Sequence, residues 1–84
     1  MLVLAEDAFA DIVVWRLPKA TPPSKHAFKY RLAYVVGGEC VLRYDNEAGK
    51  GDHKHVGDAE QRYRFRDAEQ LLVDFWADVD EVLR

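Results

Sequence analysis

The sequence predicts an α+β fold: an antiparallel β-sheet of four to five strands with one long C-terminal α-helix packed on one face. Two strand-like runs flank Gly37-Gly38, an earlier run is rich in β-branched and aromatic residues, and the last part of the chain carries apolar residues at helical spacing. With 84 residues, 49% of them hydrophobic and 32% charged, the chain has the size and balance of one folded domain spanning residues 1–84.

The first elements are predicted to be two strands. They are Val3–Glu6 and Ala8–Leu17, and the second contains the β-branched and aromatic run Ile12–Trp15 before Pro18. The segment Lys19–His26 follows and contains two consecutive prolines, which cannot donate hydrogen bonds to a strand ladder. We therefore expect a loop there.

The central elements are predicted to be a hairpin of Phe28–Val36 and Glu39–Asp45, because the two glycines between them can take the positive φ of a primed turn. A two-residue turn pairs Val35 with Cys40, Ala33 with Leu42 and Tyr34 with Val41. One face then carries Ala33, Val35, Cys40, Leu42 and Tyr44, and the other carries Tyr30, Leu32, Tyr34, Val41, Arg43 and Asp45. We expect the helix to cover the apolar face, and the mixed aromatic and charged face to contact a partner or substrate.

The last elements are a short strand over Arg62–Phe65 and the C-terminal helix. Asp67, with Gln70 three residues later, is a capping-box variant at a helix start. The apolar residues that follow at helical spacing are Leu71, Leu72, Phe75, Trp76, Val79, Val82 and Leu83. The acids Glu69, Asp74, Asp78, Asp80 and Glu81 lie away from this stripe and are predicted to form a solvated face.

The net charge of −3 hides an asymmetry along the chain. Residues 1–15 sum to −3, residues 16–66 carry eleven Lys and Arg against six acids, and residues 67–84 sum to −5. The acidic balance of the whole chain argues weakly against nucleic acid, whereas the basic middle could present a face to phosphates.

The sequence also bears on the location of the protein and on its cysteine chemistry. The longest apolar run is far too short to span a membrane, and the amino terminus lacks the basic start of a signal peptide, so a cytoplasmic protein is expected. The single cysteine, Cys40, excludes an internal disulfide and a multi-cysteine zinc site, and its apolar surroundings predict burial.

The segment from Asp45 to His55 concentrates the residues that could carry chemistry. His53 and His55 alternate along an extended chain, so both imidazoles face the same side and could act as base and acid in metal-independent cleavage of an RNA phosphodiester. Asp45 or Asp52 could orient an imidazole. Lys50 and Lys54 could contact the phosphate, although Lys54 should point away from the histidines.

Three alternatives remain open for these residues. Carboxylates at Asp52, Asp45 or Glu47 could join His53 and His55 in a divalent metal site. The Tyr30, Tyr34 and Arg43 face could instead bind substrate, a partner protein or a second copy of the chain. The segment could also be a turn followed by a solvated edge strand whose charges deter pairing. No cofactor is expected beyond that metal.

Two stretches resemble the TumE-type family of bacterial toxin-antitoxin systems: Tyr44-Asp45-Asn46-Glu47 and Gly49-Lys50-Gly51-Asp52-His53-Lys54-His55. The resemblance extends to Trp15-Arg16-Leu17-Pro18, Tyr30-Arg31-Leu32 and the closing helix, and so covers nearly the whole chain. It implies a cytoplasmic toxin silenced by a helix-turn-helix antitoxin encoded beside it. RNA as the target, and a homodimer, are further expectations, the first by analogy with other small toxins.

Overall fold

The computed structural model describes residues 1–19, 26–46 and 51–83 and has a six-stranded antiparallel sheet followed by one helix. The strands are β1 (Leu2–Ala5), β2 (Ala8–Arg16), β3 (Phe28–Val36), β4 (Glu39–Asp45), β5 (His53–Val56) and β6 (Ala59–Arg62), and the helix is α1 (Ala68–Leu83). The strands lie in the sheet in chain order. The predicted α+β class is confirmed, with six strands rather than four to five.

The additional strand comes from a hairpin of β5 and β6 that was not predicted, although an extended chain at His53 and His55 was. β5 and β6 pair around a turn in which Gly57 has φ +59°, a conformation that glycine adopts without steric cost. The predicted strand Arg62–Phe65 is wrong, because strand pairing ends at Arg62. The Tyr63 backbone N–H instead donates to the carbonyl of Asp52 at 3.1 Å, and Tyr63 and Phe65 pack against the core.

The helix begins where its capping residue predicts. The Gln70 backbone N–H donates to Asp67 Oδ1 at 2.7 Å, which satisfies one of the free N–H groups of the first turn. Leu71, Phe75 and Val79 are almost completely buried. Their spacing puts them on one stripe, which packs over β3 and β4 as expected. Within the described residues, no helix is both long and apolar enough to cross a membrane.

The register of the β3–β4 hairpin differs from the prediction by one residue. Val35 pairs with Cys40 as predicted, but Tyr34 pairs with Leu42 because a bulge inserts Val41 into β4. Since side chains alternate between faces, one extra residue moves every later β4 side chain to the other face. Arg43 therefore lies opposite Ala33 rather than on the side of Tyr34.

The sheet consequently has one face under the helix and one without it. The buried core on the helix side consists of Ala8, Ala10, Tyr30, Leu32, Tyr34, Leu42, Tyr44, Leu71, Phe75 and Val79. We call the opposite side the open face; it carries the alternate residues of each strand. The predicted grouping of Tyr30 and Tyr34 with Arg43 on one face is wrong, and so is the grouping of Leu42 and Tyr44 with Cys40. Cys40 is exposed, not buried.

Two acids of the predicted solvated helix face anchor the helix to the sheet. Asp78 accepts a hydrogen bond from the Tyr44 hydroxyl and lies 3.0 Å from Lys54 Nζ. Asp74 Oδ2 accepts a hydrogen bond from the Tyr63 hydroxyl at 2.5 Å. Burial, together with the neighbouring carboxylates, raises the pKa of Tyr44 and of Tyr63 well above the usual tyrosine range.

Candidate functional site

Strand pairing brings the polar residues of the open face together in two rows that cross the sheet. The first row runs Val13, Arg31, Asp45, His53 and Arg62, because each of these residues faces the next across a strand pair. The second runs Asp11, Ala33, Arg43, His55 and Glu60 by the same pairing. Residues far apart in sequence thus become neighbours. We call Asp45, His53 and His55 the histidine cluster.

His53 is the most constrained member of the histidine cluster. Its side chain is 5% exposed, Nδ1 lies 3.1 Å from the Gly51 carbonyl oxygen, and Nε2 lies 2.6 Å from Asp45 Oδ1. The ring therefore has a polar neighbour at each nitrogen, which fixes its orientation. That Asp45 orients an imidazole in catalysis stays a prediction.

His55 lies beside His53 and has a different environment. The two ring centroids are 5.1 Å apart and the rings are nearly perpendicular, so the expectation that both imidazoles share a face is confirmed. His55 also lines a small recess of about 140 Å³ with Cys40, Arg43 and Gly57. Its Nε2 is buried without a hydrogen-bond partner among the described residues. A buried polar atom of this kind is costly, so a bound group that contacts it would be favoured.

Asp45 is shared between His53 and Arg43. Arg43 Nε lies 3.2 Å from Asp45 Oδ2, on the side of the carboxylate away from His53. The charges attract at short range, but neither Arg43 Nε nor Asp45 Oδ1 has a hydrogen bond of regular geometry within the described residues. The carboxylate is nearly buried, with 7% of the side chain exposed, and this strengthens its interaction with both neighbours.

A cationic groove adjoins the histidine cluster on the open face. It has a volume of about 480 Å³, and its lining includes Trp15, Lys29, Arg31, Arg43 and Asp45. Trp15 is 54% exposed, which is unusual for a tryptophan, and it pairs with Lys29 across β2 and β3. Arg43 lines both this groove and the recess beside His55. The groove therefore extends from Trp15 to Asp45 of the histidine cluster, and Arg43 separates it from the recess beside His55.

Asp52 lies on the other side of the sheet from His53. Its Oδ1 is 2.7 Å from His26 Nε2 and accepts a hydrogen bond from the Tyr30 hydroxyl at 2.8 Å. The His26 ring stacks on Phe65 with centroids 3.7 Å apart. That Asp52 orients His53 or shares a metal with it stays a prediction. His26, at the end of the predicted loop, forms a packed polar pair with Asp52.

The remaining predicted contact residues are spread over the molecule. Lys54 points away from the histidines, as predicted, and is paired with Asp78. Tyr34 is 0% exposed, whereas Tyr30, at 2% exposed, contributes to the lining of the cationic groove, so its contact with a substrate stays a prediction. Burial and Asp52 raise the pKa of Tyr30 far above its usual value. Lys50 and Glu47 lie outside the described residues.

Several residues of the site were not among the predicted ones. Trp15, Lys29 and Arg31 line the groove, and Glu60 faces His55 across β5 and β6. One ring nitrogen each of His53 and His55 and one carboxylate oxygen of Glu60 lie within 4.8 Å of one another. The alternation of β2 and β3 could have indicated the first three, because odd-numbered residues share the open face there. The Gly57-Asp58 pair before β6 is a two-residue hairpin signal and could have placed Glu60 opposite His55.

A family model described as toxin TumE matches residues 2–83, nearly the whole chain. This confirms the resemblance and supports a toxin role. Comparison with curated proteins and with solved structures gave no match. The family description names no reaction, so any chemistry must be argued from the open face.

Proposed function

Because the chain belongs to the toxin TumE family, we propose that it is the toxin of a bacterial toxin-antitoxin pair and that it cleaves RNA phosphodiester bonds without a metal ion. One observation carries the proposal: two histidine rings 5.1 Å apart, one of them held by a nearly buried aspartate, adjoin a groove lined by Lys29, Arg31 and Trp15. An RNA target agrees with the expected cytoplasmic location.

The groove supports binding of a single-stranded backbone. Lysine and arginine neutralise phosphates, and an exposed aromatic ring stacks a base without reading its identity. Lys29 and Arg31 are exposed and flank Trp15 and Val13 on the same face. Single strands suit this surface better than a duplex, because only unpaired bases leave a ring face available to Trp15.

The histidine cluster supplies two groups that can move protons. In the proposed step a neutral imidazole takes the proton of the ribose 2′-hydroxyl, whose oxygen attacks the adjacent phosphorus. The bond from phosphorus to the 5′-oxygen breaks, and the second histidine, as imidazolium, donates a proton to that leaving oxygen. The products are a 2′,3′-cyclic phosphate and a 5′-hydroxyl. Arg43, which borders both the groove and the recess, offsets the negative charge of the phosphate.

We assign unequal roles to the two histidines because their exposures differ. His55 lines the recess and is placed to contact the reacting oxygens, whereas His53 is 4% exposed and held by Asp45 and Gly51. We therefore propose His55 as the base. His53 is proposed as the acid, and to reach the leaving oxygen one of its ring nitrogens exchanges its contact with Asp45 or Gly51 for that oxygen.

The test is cleavage of a short fluorescent single-stranded RNA in excess EDTA. The wild type is expected to produce cyclic-phosphate ends, and His55→Ala to lower the rate by about 100-fold to 10,000-fold. A matched RNA with one 2′-deoxy residue at the cleaved position should resist cleavage, because it lacks the nucleophile. His26→Gln is the histidine control: His26 packs beside Tyr30 and Phe65, away from the cluster, and its variant should retain the rate.

Two results would overturn the proposed chemistry. Cleavage at full rate by the variant with alanine at both His53 and His55 would exclude a catalytic role for these two residues. Cleavage that vanishes in EDTA and returns with Mg²⁺ would show that a metal is required. Circular dichroism of each variant checks that a lost rate does not come from lost structure.

The partner is proposed from the family alone: a helix-turn-helix antitoxin encoded beside this gene. The open face, with Val13 and Trp15 exposed among cations, is the surface that such a partner would need to cover to block RNA. Coexpression followed by pull-down tests this, and Trp15→Ala should weaken both RNA binding and antitoxin binding. Light scattering of the isolated chain tests for the expected homodimer.

A further inference from the structure

We infer that His53, His55 and Glu60 form a binding site for a divalent transition-metal ion of the Zn²⁺ type on the open face. The site joins two neighbouring strands. His53 and His55 come from β5, and Glu60 faces His55 from β6. One potential ligand atom from each of the three lies within 4.8 Å of the others.

The geometry requires only a small adjustment to hold an ion. In a tetrahedral site with bonds of about 2.0–2.1 Å, ligand atoms lie about 3.3 Å apart. Glu60 is exposed, so its flexible side chain can supply most of the movement, while the backbone pairing of β5 and β6 stays in place. Three protein ligands and one water would complete the coordination shell.

The state of the two imidazoles supports the same inference. His55 Nε2 is buried and has no hydrogen-bond partner among the described residues, and a metal bond would satisfy it. His53 has the Gly51 carbonyl at one ring nitrogen and Asp45 at the other. Metal-bound histidines usually keep such a partner on their second nitrogen, which holds the ring in the orientation for binding. His53 would keep one of these contacts and exchange the other for the metal.

The ligand types select the metal. Two imidazoles and one carboxylate suit Zn²⁺ and similar borderline ions, whereas Mg²⁺ and Ca²⁺ prefer oxygen ligands throughout. Two cations face the site: Arg43 faces His55 from β4, with Asp45 Oδ2 3.2 Å from its Nε, and the exposed Arg62 faces His53 from β6.

The effect of a bound metal on RNA cleavage rests on the proposed function. The existence of the metal site does not depend on it. A metal bound to both histidines takes the lone pairs that would accept or carry protons. Zn²⁺ is therefore expected to inhibit cleavage rather than support it, so the same residues would serve either proton transfer or metal binding.

The experiment is calorimetric titration of Zn²⁺ into chelator-treated protein, with Co²⁺ absorption as a second readout. We expect one ion per chain and the visible bands of tetrahedral Co²⁺. Glu60→Gln removes one ligand and should weaken binding by about tenfold or more, in line with the sensitivity of metal sites to lost support. Asp58→Asn is the matched control, because Asp58 is an exposed acid in the β5–β6 turn, two residues before Glu60, and lies outside the cluster.

The binding results decide the site independently of catalysis. No binding in the micromolar range, or equal binding by wild type and Glu60→Gln, would overturn it. In the cleavage assay, Zn²⁺ should inhibit wild type at stoichiometric concentration, and Glu60→Gln should need more Zn²⁺ to lose the same fraction of its own metal-free rate. Stimulation by Zn²⁺ would refute the inhibitory role. Binding without any cleavage by metal-free protein would support the site and refute the proposed reaction.

Discussion

Two tyrosines of the same core should respond in opposite directions when their hydroxyl groups are removed. Tyr34 is 0% exposed, and its hydroxyl oxygen is buried without a hydrogen-bond partner among the described residues. Tyr44 is 1% exposed, but its hydroxyl donates to Asp78 and lies 3.3 Å from the Asp74 carbonyl oxygen. Tyr34→Phe and Tyr44→Phe therefore delete the same atom from two different environments.

The expected change in the free energy of unfolding follows from the hydrogen bonding of each hydroxyl group. An unsatisfied buried polar group costs about 1–3 kcal/mol, so Tyr34→Phe should raise the free energy of unfolding by about 1 kcal/mol, at the low end of that range. A hydrogen bond to a charged group contributes about 1.5–3 kcal/mol, and Tyr44→Phe should lower the free energy of unfolding by that amount. The two variants should thus differ by about 2.5 kcal/mol or more.

The assay is urea unfolding at neutral pH, followed by circular dichroism. For a chain of this size, the free energy of unfolding falls by about 1 kcal/mol per M urea, near the lower end of the usual range. Tyr34→Phe should therefore raise the urea concentration at the unfolding midpoint by about 1 M. Equal loss of stability in both variants would refute the reasoning, because it would mean that the Tyr34 hydroxyl is as well satisfied as that of Tyr44.

Three further predictions concern charge, capping and binding. The pKa values of Tyr30 and Tyr44 are raised in the folded chain, so above about pH 10 only the unfolded chain loses these two protons. The free energy of unfolding should therefore fall as the pH rises beyond about 10, by up to about 1.4 kcal/mol per pH unit for each tyrosine. Thermal unfolding from pH 8 to pH 11 measures this fall. Asp67→Ala should cost about 1 kcal/mol through loss of the helix cap, measured by urea unfolding against the exposed Asp80→Ala. RNA affinity should fall with salt at a logarithmic slope near −2 for three phosphate contacts, and Arg31→Ala should reduce that slope by about 0.7, measured by fluorescence anisotropy.

Each of these has a result that would contradict it. Unchanged stability between pH 9 and pH 11 would mean that the two tyrosines titrate alike in the folded and unfolded chains. Equal costs for Asp67→Ala and Asp80→Ala would remove the capping explanation. A salt slope that is the same in wild type and Arg31→Ala would exclude a phosphate contact at Arg31.

The elements of the fold with strong local signals could be predicted from the sequence. The helix start at Asp67 and its buried stripe depend on nearby residues only, and the shared face of His53 and His55 follows from strand alternation. The bulge at Val41 could not be predicted, because the Gly37-Gly38 turn determines the first pair of the hairpin and carries no information about an insertion further along.

The residues of the site were predicted in part, because only some of them are brought together by neighbouring segments of the chain. Asp45 and the two histidines come from adjacent strands joined by one connection, so their meeting could be inferred. Glu60 could also have been placed, because the Gly57-Asp58 turn pairs β5 with β6, but the predicted strand at Arg62–Phe65 began beyond it. The pair of His26 and Asp52, by contrast, joins residues far apart in sequence. Contacts of this kind follow from the final arrangement of the sheet and have no local signature.

The bulge in β4 decides which side chains of that strand reach the open face. If Val41 were paired with Tyr34 instead of bulged, strand alternation would turn Arg43 and Asp45 beneath the helix and bring Leu42 and Tyr44 to the solvent. Loss of Val41 would keep the present pairing of Tyr34 with Leu42, whereas one added residue between Leu42 and Asp45 would exchange the polar and apolar sides of the strand beyond it. Among homologues, a deletion at the position of Val41 should therefore be tolerated better than an insertion in the rest of β4.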